Sequence, residues 1–196
     1  LEQFVECGNF YNYSVYLNKK QMKGIIFTEF LVMVEKKFGL DTVDDIIEKS
    51  EVPNQGAYTS VGTYSHNEMN ALVKALSEKT GIPNSDLLIV FGEYLFQVLA
   101  VSYPQFISKT NSVLEFLASI ETYIHIEVKK LYPDAELPSF DSKKNEDGSL
   151  ELIYTSERHY GDLAEGLIIG AIAHYGEGKL LKRETLPNKS VKFLIH

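Results

Sequence analysis

Apolar residues follow two rhythms along this chain, and the change between them comes late. Phe27, Phe30, Leu31, Val34 and Phe38 recur at the three-and-four spacing of one helix face, and Gly39 closes the run. Asp41 is expected to cap a second helix over Val43 to Lys49. Tyr58 to Tyr64 reads as a polar link. Ser65 then caps a helix carrying Met69, Leu72, Val73 and Leu76, with Glu68 placed to complete a capping box. Asn84-Ser85 opens a helix from Leu87 to Val101, Pro104 interrupts, and a short turn crosses to Asn111. The stripe Val113, Leu114, Phe116, Leu117, Ile120, Ile124 and Val128 predicts one helix that ends before Pro133.

Beyond Pro138 the rhythm changes. Ser142 to Gly148 reads as a polar hairpin turn ending in Asp147-Gly148, and Leu150, Leu152 and Tyr154 alternate as a strand. Asp162 to about Tyr175 returns to helix. Leu180 to Leu186, Pro187-Asn188-Lys189 and Val191 to Ile195 form a closing hairpin. Helices first and antiparallel strands late is an α+β order. Residues 1–21 fit neither rhythm and carry no secretory pattern, so they read as an N-terminal extension or as a gene start placed too early, with Met22 the true first residue. The domain proper is expected over 22–196.

Composition narrows the partners. The 196 residues, 44% apolar and 23% charged, suit one globular domain, and a net charge of −8 argues against a nucleic-acid backbone or an anionic membrane surface as partner. No uninterrupted apolar run nears the ~20 residues of a membrane span. The longest, Leu167 to Ala173, is flanked and broken by Gly166 and Gly170, which suggest close helix packing in a core. The single cysteine, Cys7, excludes an internal disulfide and a multi-cysteine metal site, and a reducing cytoplasm is the natural setting.

Candidate chemistry lies in four segments. Tyr154, Ser156 and Arg158 alternate, so a strand would project all three to one face, where an always-charged guanidinium and two hydroxyls suit a pair of anionic groups. Taken alone, the same pattern also fits a solvated strand face. His125 stands at the edge of the apolar stripe of its helix, although a lone helical histidine is more often a surface or core residue. Met22-Lys23-Gly24-Ile25-Ile26-Phe27 and Leu137-Pro138-Ser139 complete the set. No phosphate-binding glycine loop, nucleophile elbow or catalytic dyad is present, and His66, His159, His174 and His196 lack paired spacing with a carboxylate or cysteine.

Together these four segments resemble the haem-nitric oxide/oxygen binding family, H-NOX, which includes stand-alone bacterial gas sensors and the haem domain of soluble guanylate cyclase. The resemblance runs from Met22 to about Ile195. It implies an N-terminal helical subdomain and a C-terminal subdomain of antiparallel sheet plus helices, with haem b between them. It implies that His125 is the axial ligand of the iron, that Tyr154, Ser156 and Arg158 hold the propionates, and that Pro138 and Ile26 press on the porphyrin from its two sides. Oxygen-binding members carry a distal tyrosine with tryptophan and asparagine support. Those positions are Leu163, Phe30 and Leu95 here, so a pocket without a hydrogen-bond donor is expected, favouring nitric oxide, or carbon monoxide, over oxygen. The implied function is non-enzymatic: nitric oxide breaks the iron–His125 bond, the haem relaxes, and a separate histidine kinase or cyclic-di-GMP enzyme is regulated. An oxygen sensor and a carrier of gas or haem are the alternatives.

Overall fold

The computed structural model describes residues 21–196. The extension assigned to 1–21 therefore lies outside the described residues except for Gln21, which opens a strand. This strand, β1 (Gln21–Lys23), runs directly into helix α1 (Gly24–Phe38) and pairs antiparallel with β2 (Thr63–Ser65), Met22 opposite Tyr64. The stretch before β2 is more than a polar link. Tyr58 stacks on Phe27 at 4.5 Å between ring centroids, and Tyr64 meets the same ring edge-on at 5.5 Å. A tyrosine counts as polar in a pattern yet buries a ring. Gly24 is needed at this junction, because a Cβ there would lie 1.8 Å from the Thr59 carbonyl oxygen.

Helix α2 (Leu40–Ser50) starts ahead of Asp41, so the expected Asp41 cap is not formed. Gly39, at φ 87°, ends α1 and precedes α2, and Asp41 lies in the first turn, where its charge suits the positive end of the helix. Helix α3 (His66–Thr80) is capped by Ser65, whose hydroxyl accepts from the Asn67 amide at 3.3 Å. Glu68 does not complete the box as expected; it accepts from the Tyr58 hydroxyl at 3.0 Å and ties α3 to the aromatic cluster.

Helix α4 (Asn84–Ser102) is followed by the short α5 (Pro104–Ile107). At 19 residues α4 is long and apolar enough to cross a membrane, although Glu93 and Gln97 interrupt its apolar run. In this fold it is a core helix, with Phe91 and Leu95 buried. It crosses α8 (Gly161–Tyr175) with backbone against backbone. A Cβ on Gly166 would lie 2.0 Å from the Ile89 carbonyl oxygen, one on Gly92 would lie 2.4 Å from that of Leu163, and one on Gly170 would lie 2.7 Å from Phe96 Cβ. The close packing expected of Gly166 and Gly170 is thus realised.

The helix expected as continuous from Val113 to Val128 is broken. It divides into α6 (Val113–Ala118), a π-helical turn (Ile120–Ile124) and α7 (His125–Leu131). The Ser119 hydroxyl donates to the Phe116 carbonyl at 2.7 Å, and the Ile124 amide reaches the Ser119 carbonyl, five residues back, at 3.2 Å. A serine bonded to its own backbone competes with the helical ladder, and one extra residue is absorbed in the wider turn.

The late strands form one antiparallel sheet in the order β3-β4-β6-β5: β3 (Ser139–Lys144), β4 (Leu150–Thr155), β5 (Leu181–Thr185) and β6 (Val191–Ile195). Ser142, Lys143 and Lys144 belong to the exposed edge strand β3 rather than to the turn, which is closed by Gly148 at φ 84° and by Asp147 accepting from the Ser149 amide at 2.9 Å. Charged side chains are common on edge strands and blunt their pairing, which is why β3 read as loop. One core lies among α1 to α4 and a second between α6, α8 and the sheet, with Phe30 and Leu76 central to the first and Leu152 and Phe193 to the second.

Candidate functional site

A cavity of about 310 Å³ opens between the two cores. Ile26 reaches it from α1, Leu95 from α4, His125 from α7, Pro138 from the connector before β3, Tyr154 from β4, Arg158 from the turn after β4, and Leu163 from α8. Elements far apart in the chain thus bring most of the predicted site residues to one place. Phe30 and Ser156 are not among the lining. Phe30 is fully buried behind the wall, edge-on to Phe91 at 5.2 Å. Ser156 sits beside Arg158, its hydroxyl accepting from the Arg158 amide at 3.2 Å.

His125 is the first residue of α7, immediately after the π-helical turn, and its amide bonds to the Ile120 carbonyl. Its Nδ1 lies 3.2 Å from a carboxylate oxygen of Glu121. Burial lowers the imidazole pKa below its ordinary value, against the raising effect of Glu121, which favours the neutral ring. A neutral imidazole with one nitrogen engaged leaves the other to a metal.

The Tyr154, Ser156 and Arg158 group, the expected propionate clamp, is assembled differently from the expected strand face. Strand β4 ends at Thr155, and the chain turns through His159, at φ 57°, before α8 begins. Alternation therefore does not carry Arg158 or His159 to their places; a turn does. The three residues still converge. Burial raises the Tyr154 phenol, while the Ser156 side chain, the Tyr160 backbone and the Arg158 charge pull it the other way. The Arg158 guanidinium donates to the Gln21 carbonyl and, at 2.5 Å, to that of Glu136. It thereby joins β1 to the connector that carries Pro138.

The lining is apolar around Leu95, Leu99, Leu163, Leu167 and Ile168, but it is not free of hydroxyls. Tyr160 contributes its ring, while its hydroxyl lies 2.7 Å from Asn70 Oδ1 and 3.1 Å from the His66 carbonyl oxygen, on α3. Tyr103 and Tyr132 also line the cavity and pair through their hydroxyls at 3.2 Å, which, with burial, pushes the Tyr103 pKa up to about 12. The pattern reading did not single these two out; both are caps at helix ends, outside any stripe. Lys23 was quoted only as part of an opening motif. Its ammonium donates to Thr63 Oγ1 at 2.8 Å and to the Val61 carbonyl at 3.0 Å, and pairs with Asp134 at 3.1 Å, which pins β1 and β2 to the same connector.

Among the described residues no group of three or more His, Cys, Asp or Glu could hold a metal ion by itself. One imidazole on an apolar cavity, with a guanidinium at its edge, is a donor set for a metal that brings its other ligands with it. A flat, largely apolar porphyrin with two carboxylates meets that description, and the residues present fit it.

This combination of fold and cavity defines the H-NOX class of haem-binding, gas-sensing domain. The profile of the family described as haem-NO-binding matches residues 23–180, and the chain belongs to that family. It is 44% identical to an H-NOX protein from K. algicida solved in the unliganded Fe(II) state, with a TM-score of 0.84 over 89% of this chain and 96% of that one. An H-NOX from Shewanella woodyi, in the Fe(II)CO state with IWP-051 bound, is 36% identical with a TM-score of 0.76 over 89% and 93%. One from S. oneidensis, in the Fe(II)NO state, is 27% identical with a TM-score of 0.83 over 89% and 98%. No curated protein matches the chain.

Proposed function

We propose that the chain is a sensor of nitric oxide, built on haem b and without enzymatic activity, that regulates a separate signalling protein. The observation that carries this reading is one imidazole and one guanidinium sharing a cavity whose other walls are mainly apolar. A b-type haem is supported by the cysteine count: one cysteine cannot form the C-x-x-C-H attachment of a c-type haem. When bound, haem would supply a ferrous iron able to take a diatomic gas.

In this reading His125 would hold the iron through Nε2, and Arg158, with Tyr154 and Ser156, would hold the propionates by exchanging its carbonyl acceptors for carboxylates. Pro138 and Ile26, which line the cavity, would press on the ring. Leu95 and Leu163 keep water out and, with Phe30 behind them, present no donor where oxygen-binding members of the family have a tyrosine, so nitric oxide is favoured over oxygen. The S. oneidensis and S. woodyi relatives in NO and CO states support the same ligands here. A gas ligand that displaced His125 from the iron would free α7 from its tether to the cavity, so that the populations of two packings could change. The output passes to a histidine kinase or a cyclic-di-GMP enzyme in the cytoplasm. We assign 22–196 to the haem domain, to which Gln21 is joined through β1, and leave the rest of 1–21 outside it.

Visible spectra of the reduced protein in air, under carbon monoxide and under nitric oxide test this reading. The expected result is tight nitric oxide binding, a five-coordinate nitric oxide complex and no lasting oxygen complex. A protein that purifies as a stable ferrous-oxy complex supports the oxygen-sensing alternative and sinks the selectivity argument.

A further inference from the structure

We propose that Glu121 is a positioning residue for His125: its carboxylate fixes the imidazole tautomer, raises the donor strength of Nε2 and couples the ligand to strand β3. The inference rests on the reading of His125 as the axial ligand. Two contacts on one oxygen carry it. Oε1 of Glu121 lies 3.2 Å from His125 Nδ1, and the same atom accepts from the Phe140 amide at 2.7 Å.

An ionised carboxylate accepts and does not donate. Next to it, Nδ1 of a neutral ring carries the proton, and the lone pair belongs to Nε2. A charged acceptor also pushes electron density through the ring, so Nε2 binds a metal more strongly than with a neutral acceptor behind it. The pair stands four residues apart across the π-helical turn. That turn reorients α7, yet Glu121 and His125 still meet.

The second contact gives the pair a mechanical role. Phe140 lies in β3 just beyond Pro138, with its ring centroid 6.0 Å from that of His125. A movement of His125 away from the cavity pulls on an oxygen that the β3 backbone also holds. The Glu121 side chain is 40% exposed, so water weakens the contact, which suits a ligand that must be released.

The test is the iron–histidine stretching band in the resonance Raman spectrum of the reduced holoprotein, with haem transfer to apomyoglobin as a second readout. Glu121→Gln keeps an oxygen for the Phe140 amide and removes the charge. Its band is expected at lower frequency than wild type, and haem transfer about 10-fold faster. Glu121→Asp keeps the charge with a shorter reach, and its band is expected between the two. A Glu121→Gln band at the wild-type frequency overturns the proposal. His125→Gly separates this failure from that of the underlying reading. If His125→Gly loses the band while Glu121→Gln leaves it unchanged, His125 stands as ligand and the role of Glu121 falls. If His125→Gly keeps the band, both fall.

Discussion

Helices α4 and α8 form one wall of the cavity, and the segment from α6 through α7 forms another, and the two are built on opposite terms. At the α4–α8 crossing, Gly92 and Gly166 allow carbonyl groups of one helix to touch the backbone of the other, and Phe91, Leu95, Ala164 and Ile168 are buried around them. The π-helical turn and α7 contribute no buried residue, and Ile126 and Leu131 are each 49% exposed. Tight backbone packing has a single good arrangement, because interiors at crystal-like density tolerate little displacement. A helix with few buried contacts opens and shifts at low cost. In our reading the donor nitrogen of His125 sits on the yielding wall, while Leu95 and Leu163, which shape the gas side, sit on the firm one. A sensor needs that division: one surface to keep the pocket's shape and one to move when its tether is cut.

The largest effect is expected at the firm wall. Gly166→Ala places a methyl group against the Ile89 carbonyl and should cost about 3 kcal/mol or more of folding stability, read from the urea midpoint of the haem-free protein. A midpoint within error of wild type would mean the crossing is not the rigid element described. Next in size is the clamp. Arg158→Ala should lower haem retention by about 1.5–3 kcal/mol, against about 1 for Ser156→Ala, measured as haem transfer to apomyoglobin. Equal losses in the two variants would count against a clamp dominated by charge. Leu163→Tyr adds a hydroxyl on the firm wall and should lengthen the life of the ferrous oxygen complex, by no more than about one neutral hydrogen bond's worth, ~1 kcal/mol. The smallest effect is expected on the yielding wall, where Ile126→Ala should change stability by no more than about 0.5 kcal/mol. A loss several times larger would place α7 among the packed elements.

The same division explains what could be read from the sequence. Regular packing leaves regular patterns: the stripes of α1, α3, α4 and α8 and the alternation of β4 were legible because each buries one face. The glycines of α8 announced close packing in advance. The break at Ser119 was not legible, since Ile120, Ile124 and Val128 continue the three-and-four spacing across it; only a serine hydroxyl bonded to Phe116 marks the change. β1 and β2 are three residues each, too short for alternation to register. Tyr154, Ser156 and Arg158 were identified as a group for a reason that holds only in part, because the strand ends at Thr155 and a turn delivers the arginine. Glu121 stands four residues before His125, but nothing in spacing tells that its carboxylate also holds the amide of Phe140.

Hydrogen exchange of the reduced holoprotein, with and without nitric oxide, tests most directly whether His125 tethers a yielding wall. Amides of Ile120–Ile124 and His125–Leu131 should exchange markedly faster once nitric oxide is bound, while those of α4 and α8 around Gly92 and Gly166 hold their rates. Unchanged exchange in the His125 segment, or an equal rise in both walls, would contradict the account.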